Sequence, residues 1–220
     1  ISINCYITTK ISFSNYISEI SESVNNIDAK IILDVIGQDK RINHSYMKVG
    51  TKFSGPCFPR DNLALINFSK KVKVKPLIPV ATNTINSKQS LRIIKILQKI
   101  LKKEKKPLSL GLFGLTYKPD TNLINGSQGD SLIKKIKKLR LKFKEINIFD
   151  EYLINKEVNN YNKRFFLDNS DIIIIMYPST ENKIIKNYKS KKRKYILDCW
   201  RTNSVLNKNL KLIQFGKYYN

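Results

Sequence analysis

The chain has 220 residues, with 41 Lys and Arg against 17 Asp and Glu and a formal charge of +24. Its hydrophobic content of 41% supports a packed core, and no apolar run reaches the roughly 18 residues that would mark a membrane-crossing helix. A charge this high suits nucleic acid or an acidic membrane. The excess, however, is mostly lysine scattered among abundant Asn and Ile, as codon bias would leave it, so neither partner is expected.

Cys5, Cys57 and Cys199 are far apart, no pair has C-x-x-C spacing, and His44 is the one histidine. No metal site is expected, and free thiols suit a reducing, cytoplasmic compartment. The start, ISINCYITTK, has no basic segment leading into a long apolar one. It opens on Ile1 in what reads as the body of a fold, so the chain is expected to be the later part of a longer protein.

Apolar residues at Ile7, Ile11, Ile17, Ile20, Val24 and Ile27 predict one long amphipathic helix within residues 1–36. Lys10 and Asn15 lie on it about one and a half turns apart, so both can face one pocket wall. On the residues alone Lys10 reads as a solvated lysine. Arg41 follows in a loop, either as a surface cation or as a guanidinium clamp for an oxygen-rich ligand.

The stretch Gly50 to Leu65, GTKFSGPCFPRDNLAL, carries the chemistry. Gly50, Gly55 and Pro56 make an irregular loop ending at Cys57, and a helix is predicted from Asp61. A cysteine beside a helix N-terminus and an arginine sits in an electropositive place, which favours the thiolate. That gives a nucleophile with a carboxylate four residues on; a buried turn cysteine is the alternative.

A short helix is predicted over Leu63 to Lys71, then a basic, proline-containing link. A second helix is predicted over Ser87 to Lys103, capped by Asn86 or Ser87, with a stripe of Leu91, Ile94, Leu97, Ile100 and Leu101. The charged run Lys102 to Pro107 reads as a domain boundary. Strands are then predicted at Leu108–Leu115, Glu145–Phe149, Asp171–Tyr177, Tyr195–Asp198 and Leu210–Phe215, with a helix at Ser131–Leu141. Continuous apolar strands between helical stretches imply a parallel sheet covered on both faces, with ligands at the strands' carboxyl ends. Tyr117 and Lys118 follow the first strand and Arg201 the fourth. Arg201 reads equally well as a loop cation. Gly111 and Gly114 do not form the G-x-G-x-x-G dinucleotide fingerprint.

Several of these stretches resemble the UDP-glucose 6-dehydrogenases and related nucleotide-sugar dehydrogenases. The loop resembles the family's G-x-G-F-G-G-S-C-F-P-K-D at Gly50, Phe53, Gly55, Cys57, Phe58, Pro59 and Asp61, with Arg60 for lysine. TTKISFSNYISEI resembles A-T-K-I-S-F-x-N-E at Lys10 and Asn15. GQDKRIN resembles G-x-D-x-R-I-G at Gly37, Asp39, Arg41 and Ile42, with Asn43 for glycine. TYKPDTNLINGSQG resembles A-F-K-P-D-T-x-D-x-R-x-S-P at Tyr117, Lys118, Pro119, Asp120, Thr121 and Ser127. There Asn125 stands for the family's arginine, which puts ordinary cofactor contact in doubt. DCWRTN resembles the D-G-R-R region, with Arg201 on the second arginine.

The resemblance implies an α/β protein in two parts: a central all-helical dimerisation domain, residues 1–104, and a Rossmann-like parallel-sheet UDP-binding domain, residues 105–220. It implies NAD-dependent two-step oxidation of UDP-glucose at C6 to UDP-glucuronate through a cysteine thiohemiacetal and thioester. Cys57, Lys10, Asn15 and Asp61 would be catalytic. Arg41, Phe53, Gly55, Phe58, Tyr117, Lys118 and Arg201 would bind substrate, with Arg41 reaching a partner's site in a homodimer or higher oligomer. Arg60 would meet NAD, whose site lies mostly on an N-terminal domain that this sequence does not supply; the piece alone is expected to be inactive. Oxidation of GDP-mannose or a UDP-N-acetylhexosamine, or a non-redox nucleotide-sugar binding or dimerisation module, are the alternatives.

Overall fold

The computed structural model describes residues 1–104, 106–153, 162–179, 185, 187–203 and 207–219. Two compact units divide the chain: Ile1–Leu91 with Gly216–Asn220, and Arg92–Phe215. The division falls inside a continuous helix.

The first unit is helical. α1 (Ser2–Ser21), α2 (Ala29–Gln38) and α3 (Phe58–Lys71) are followed by the start of α4 (Leu77–Glu104). The single long helix expected over residues 1–36 is two helices. α1 stops at Ser21, Asn26 turns the chain with φ 63°, and Asp28 caps α2 by accepting from the Lys30 N–H. Its orientation also departs from the expected amphipathic pattern. The buried positions are Cys5, Thr8, Ser12, Ser14, Asn15, Ser18 and Ser21, while Ile3, Tyr6, Phe13, Tyr16 and Ile20 are exposed. Small hydroxyl side chains can lie buried because each finds a partner. Thr8 and Thr9 donate to the Cys5 carbonyl, Ser21 to that of Ile17, and Ser12 to that of Thr82. Such a face permits close backbone approach and leaves the large apolar side chains outward.

α3 begins three residues before the expected start, with Cys57 at its N-cap and Pro59 in its first turn, where the missing N–H costs nothing. α4 begins ten residues before the expected Ser87. The supposed link is its first turns, Pro79 lies in the first of them, and Asn86 is not a cap. Of the expected stripe, Ile94, Leu97 and Ile100 are buried, but Leu91 is exposed and Ile93 takes its place.

The second unit is a five-stranded sheet, β1 (Leu110–Phe113), β2 (Ile146–Phe149), β3 (Ile172–Ile175), β4 (Lys194–Asp198) and β5 (Leu210–Gln214). The strand order is β2-β1-β3-β4-β5 and every pairing is parallel. β1 and β3 are shorter than expected at both ends, β2 starts one residue later and β5 ends one earlier, and β4 starts one residue earlier than expected. α5 (Gln128–Lys138) is capped by Ser127, three residues ahead of the expected start, and α6 (Lys163–Asn169), which the sequence reading missed, is capped by Asn162. β1, β3 and β4 are buried along their whole length, as a doubly covered parallel sheet requires. One core cluster gathers Phe113, Phe149, Phe166, Ile173, Ile175 and Ile196; another, Leu115, Ile148 and Leu153. The chain reverses its winding direction between β1 and β3, so their carboxyl ends border the crevice where such sheets bind ligands.

Candidate functional site

In the helical unit, Cys57 is exposed and sits at the N-cap of α3. The N-terminal end of a helix dipole favours negative charge there. One turn on, the Asp61 N–H closes the first helical bond to the Cys57 carbonyl at 2.9 Å. The Asp61 carboxylate is buried and held from two sides: Asn4 Nδ2 donates to Oδ2 at 2.6 Å and Arg60 Nε to Oδ1 at 3.0 Å. The Asn4 bond, then the Arg60 bond, holds its carboxyl below the usual range. The Arg60 guanidinium is raised in turn, first by its bond to Asp61 and, in smaller part, by the Cys57 sulfur. Arg60 therefore shares its field between the carboxylate and the thiol, with a side chain that remains largely exposed.

Two side chains of α1 reach the loops around this helix end. Lys10 Nζ donates to the carbonyls of Ile42 at 2.7 Å and Asn43 at 3.3 Å, and Asn15 Nδ2 donates to the Thr51 carbonyl at 3.1 Å. Lys10 thus holds the loop that carries Arg41, and Asn15 holds the entry to the cysteine loop. Arg41 is exposed and forms a forked pair with Asp39, Nε at 3.0 Å and a terminal nitrogen at 2.6 Å. Asn43 has φ 67°, a left-handed conformation that asparagine tolerates better than most residues, so it fits where the resembling motif has glycine. Gly55 has φ 85°, which a residue with a Cβ would adopt only under strain. Phe53 is buried and meets Phe58 edge-on at 6.3 Å.

Asn86 was missed as part of this arrangement. From the middle of α4 it accepts the Phe53 N–H and donates to the Phe53 carbonyl. No local signal marks it, because an Asn in a Ser- and Thr-rich stretch reads first as a cap.

In the sheet unit, Tyr117 and Lys118 lie just beyond β1, with the Lys118 ammonium 5.6 Å from the Tyr117 ring centre. Their loop is closed by the Thr116 hydroxyl on the Lys118 carbonyl and the Tyr117 N–H on that of Leu123. Arg201 lies beyond β4 with φ 58° and donates from Nη1 to the Phe215 carbonyl at 3.3 Å. Asp198 builds its loop by accepting from the Trp200 N–H, the Thr202 hydroxyl, and the backbone and side-chain N–H of Asn203. Trp200 Nε1 donates to the Met176 carbonyl at 2.9 Å, which ties this loop to the end of β3.

This sheet is a poor fit to a dinucleotide. The turn after β1 is not glycine-rich. Asp150, at the strand end where dinucleotide folds place the acid that meets a ribose, is buried. Its Oδ2 accepts from Leu115 N, Thr116 N and the Thr116 hydroxyl, and its Oδ1 from Tyr152 N and the Tyr177 hydroxyl. No group of metal-ligating side chains occurs among the described residues.

Residues 1–88 match the central domain of the UDP-glucose/GDP-mannose dehydrogenase family. The chain is 32% identical over 136 residues to the UDP-glucose 6-dehydrogenase TuaD of Bacillus subtilis, covering 62% of this chain and 29% of that protein. It is 30% identical over 133 residues to the UDP-glucose 6-dehydrogenase of Rickettsia bellii, covering 60% and 30%. In fold it resembles a UDP-glucose dehydrogenase from Pyrobaculum islandicum, with a TM-score of 0.79 at 20% identity over 99% of this chain and 50% of that one. It also resembles the NDP-N-acetyl-D-galactosaminuronic acid dehydrogenase of Methanosarcina mazei, with a TM-score of 0.80 at 15% identity. The chain thus spans under a third of these curated relatives and about half of the solved chains. Over residues 1–88, the chain is thus similar to the central domain of the UDP-glucose/GDP-mannose dehydrogenase family.

Proposed function

We propose that this chain supplies the thiol chemistry and the nucleotide-sugar contacts of a cytoplasmic dehydrogenase that oxidises UDP-glucose at C6 to UDP-glucuronate. The observation that carries the reading is the exposed Cys57 at a helix N-terminus, one turn from a buried carboxylate. NAD, bound mainly elsewhere in the complete enzyme, would supply the hydride-accepting chemistry of both oxidations, and Arg60 is the residue proposed to meet it.

The Cys57 thiolate adds to the C6 aldehyde, and the former carbonyl oxygen takes the negative charge. Lys10 and Asn15 stabilise that charge from α1, as preorganised donors do. At the thioester stage Asp61 accepts a proton from the attacking water, the C–S bond breaks, and Cys57 returns as the thiolate while the sugar leaves as a carboxylate. Phe53, Gly55 and Phe58 shape the loop around the sugar. Tyr117, Lys118 and Arg201 meet the nucleotide and its phosphates at the carboxyl edge of the sheet, where a lysine serves as a point charge.

The proposal includes a homodimer or higher oligomer. The apolar side of α1, with Ile3 76% and Tyr6 67% exposed, suits a second copy. Arg41, exposed in the loop after α2, is the side chain proposed to cross to the partner's substrate.

The test is Cys57→Ala in the complete enzyme, read as UDP-glucuronate formed. Loss of product is expected, and wild-type turnover would refute the assignment. A second reading, a nucleotide-sugar binding module without redox activity, draws on Asn125 in place of the family's arginine. Titration of the chain with UDP-glucose, GDP-mannose and UDP-N-acetylmannosamine, beside turnover of the complete enzyme, separates the two readings and ranks the sugars.

A further inference from the structure

Because all five strands are parallel, their amino ends share one edge of the sheet, about 20 Å long at the usual strand spacing. The lysines that looked scattered in sequence collect there. Leading into β1 are Lys102, Lys103 and Lys106, all exposed. Leading into β2 is the run Lys137–Lys144, in which every charged residue is an exposed cation. Leading into β4 is the run Lys189–Arg193, of which the same holds, and Lys208 precedes β5. The acids along this edge have partners within the protein, the exposed Asp168 pairing with Arg164 and accepting from the Tyr188 hydroxyl. Glu104 accepts from the Tyr195 hydroxyl, Glu145 from the Ser109 hydroxyl, and Asp171 from the Ser109 N–H.

At the opposite edge, among the nucleotide-sugar contacts proposed above, stand Lys118, Arg201 and the exposed Glu151, while Asp150 and Asp198 are buried. The segments are also contiguous. A cleft of about 290 Å³ is lined by Glu104, Lys106, Asp171, Lys192, Arg193 and Tyr195. The Lys144 N–H bonds to the Leu108 carbonyl, and Asn209 Nδ2 to that of Ser190. The Debye length at physiological salt is about 8 Å, so only neighbouring cations reinforce one another and the rim acts as a sum of local attractions.

We propose that this edge is a docking surface for an anionic lipid bilayer. A broad, lysine-dominated rim matches a diffuse sheet of headgroup charge. Leu139, 47% exposed between Lys138 and Arg140, offers an apolar side chain to the interface. The rim's own aromatic side chains, Phe143, Tyr188 and Tyr195, are not exposed, so it lacks the stacking platform of a single-strand nucleic-acid binder. The lack of a membrane-crossing helix among the described residues does not oppose surface docking.

The test is co-sedimentation of the chain with phosphatidylcholine vesicles, with and without phosphatidylserine, at physiological salt. Binding is expected only to the anionic vesicles. Reversing Lys142, Lys144, Lys191 and Lys192 to Glu should weaken it about tenfold or more. Reversing Lys70, Lys71, Lys73 and Lys75, exposed in the helical unit, should leave it within about twofold, and Leu139→Ser should weaken the part that survives high salt. Melting curves establish that each variant is folded. Equal binding to neutral vesicles, equal loss in both quadruple variants, or a rim-dependent preference for duplex oligonucleotide over vesicles would overturn the proposal.

Discussion

Asn86 Oδ1 accepts the Phe53 N–H at 2.8 Å, and Asn86 Nδ2 donates to the Phe53 carbonyl at 3.1 Å. One side-chain amide thus stands in for a neighbouring strand and fixes the backbone four residues before Cys57. Replacing Asn86 with Ala removes both bonds, and at about 1 kcal/mol each the chain should lose about 2 kcal/mol. Thermal melts check this, and the alkylation rate of Cys57 reports whether the loop has loosened. Asn86→Asp keeps the acceptor alone and should fall between the two.

The three thiols differ in access. Cys57 is exposed, Cys5 and Cys199 are buried, and burial pushes the Cys5 thiol up. Brief iodoacetamide treatment of the native chain should modify Cys57 alone, with the other two reacting only in denaturant. Peptide mass analysis reads the outcome directly.

Asp61 makes an acid-side prediction. Its folded carboxyl lies below the ordinary value, chiefly through Asn4 and then Arg60. A depressed carboxyl stabilises the fold above its unfolded value, about 3.9, and that contribution disappears as pH falls through the lower folded value. Asn4→Ala should therefore lower the melting temperature near neutral pH, and the difference from wild type should shrink as pH falls below the unfolded carboxyl value.

Asp198 serves four donors of the loop that carries Arg201. Asp198→Ala leaves buried N–H groups unpaired and should cost about 3 kcal/mol. Thr202→Ala, which removes one exposed hydroxyl, should cost under about 1 kcal/mol. Denaturant titration orders the two.

The outward apolar side of α1 gives a prediction about assembly. Phe13→Lys with Tyr16→Lys places two cations on that side without touching a buried position. Sedimentation equilibrium should show weaker self-association than wild type, and an unchanged mass distribution would exclude this side as a contact between copies.

The sheet was legible because burial on both sides erases alternation: IIII at β3 and YIL within β4 read as continuous apolar runs. The cysteine, its carboxylate and the α1 lysine were legible from spacing and resemblance. What stayed hidden depends on partners distant in sequence. An apolar stripe reports that a helix has two sides; it does not say that the chain's own core leaves the apolar side of α1 exposed. Pro79 reads as a breaker until the helix start places it in the first turn. Asn86 and Asp198 look like ordinary polar residues, because a side chain bonded to someone else's backbone leaves no periodic trace.

The last residues of the chain are built into its first unit. Gly216, at φ 75°, donates to Glu22 Oε1 and accepts from the Ala29 N–H, and a Cβ there would meet that of Ala29 at 2.6 Å. Lys217 then pairs with Asp28 at 3.3 Å. On the ribosome, the turn between α1 and α2 cannot be closed until Gly216, 194 residues beyond Glu22, has been made. Truncation of the chain before Gly216 would thus loosen the turn between α1 and α2, far along the message from the lesion itself.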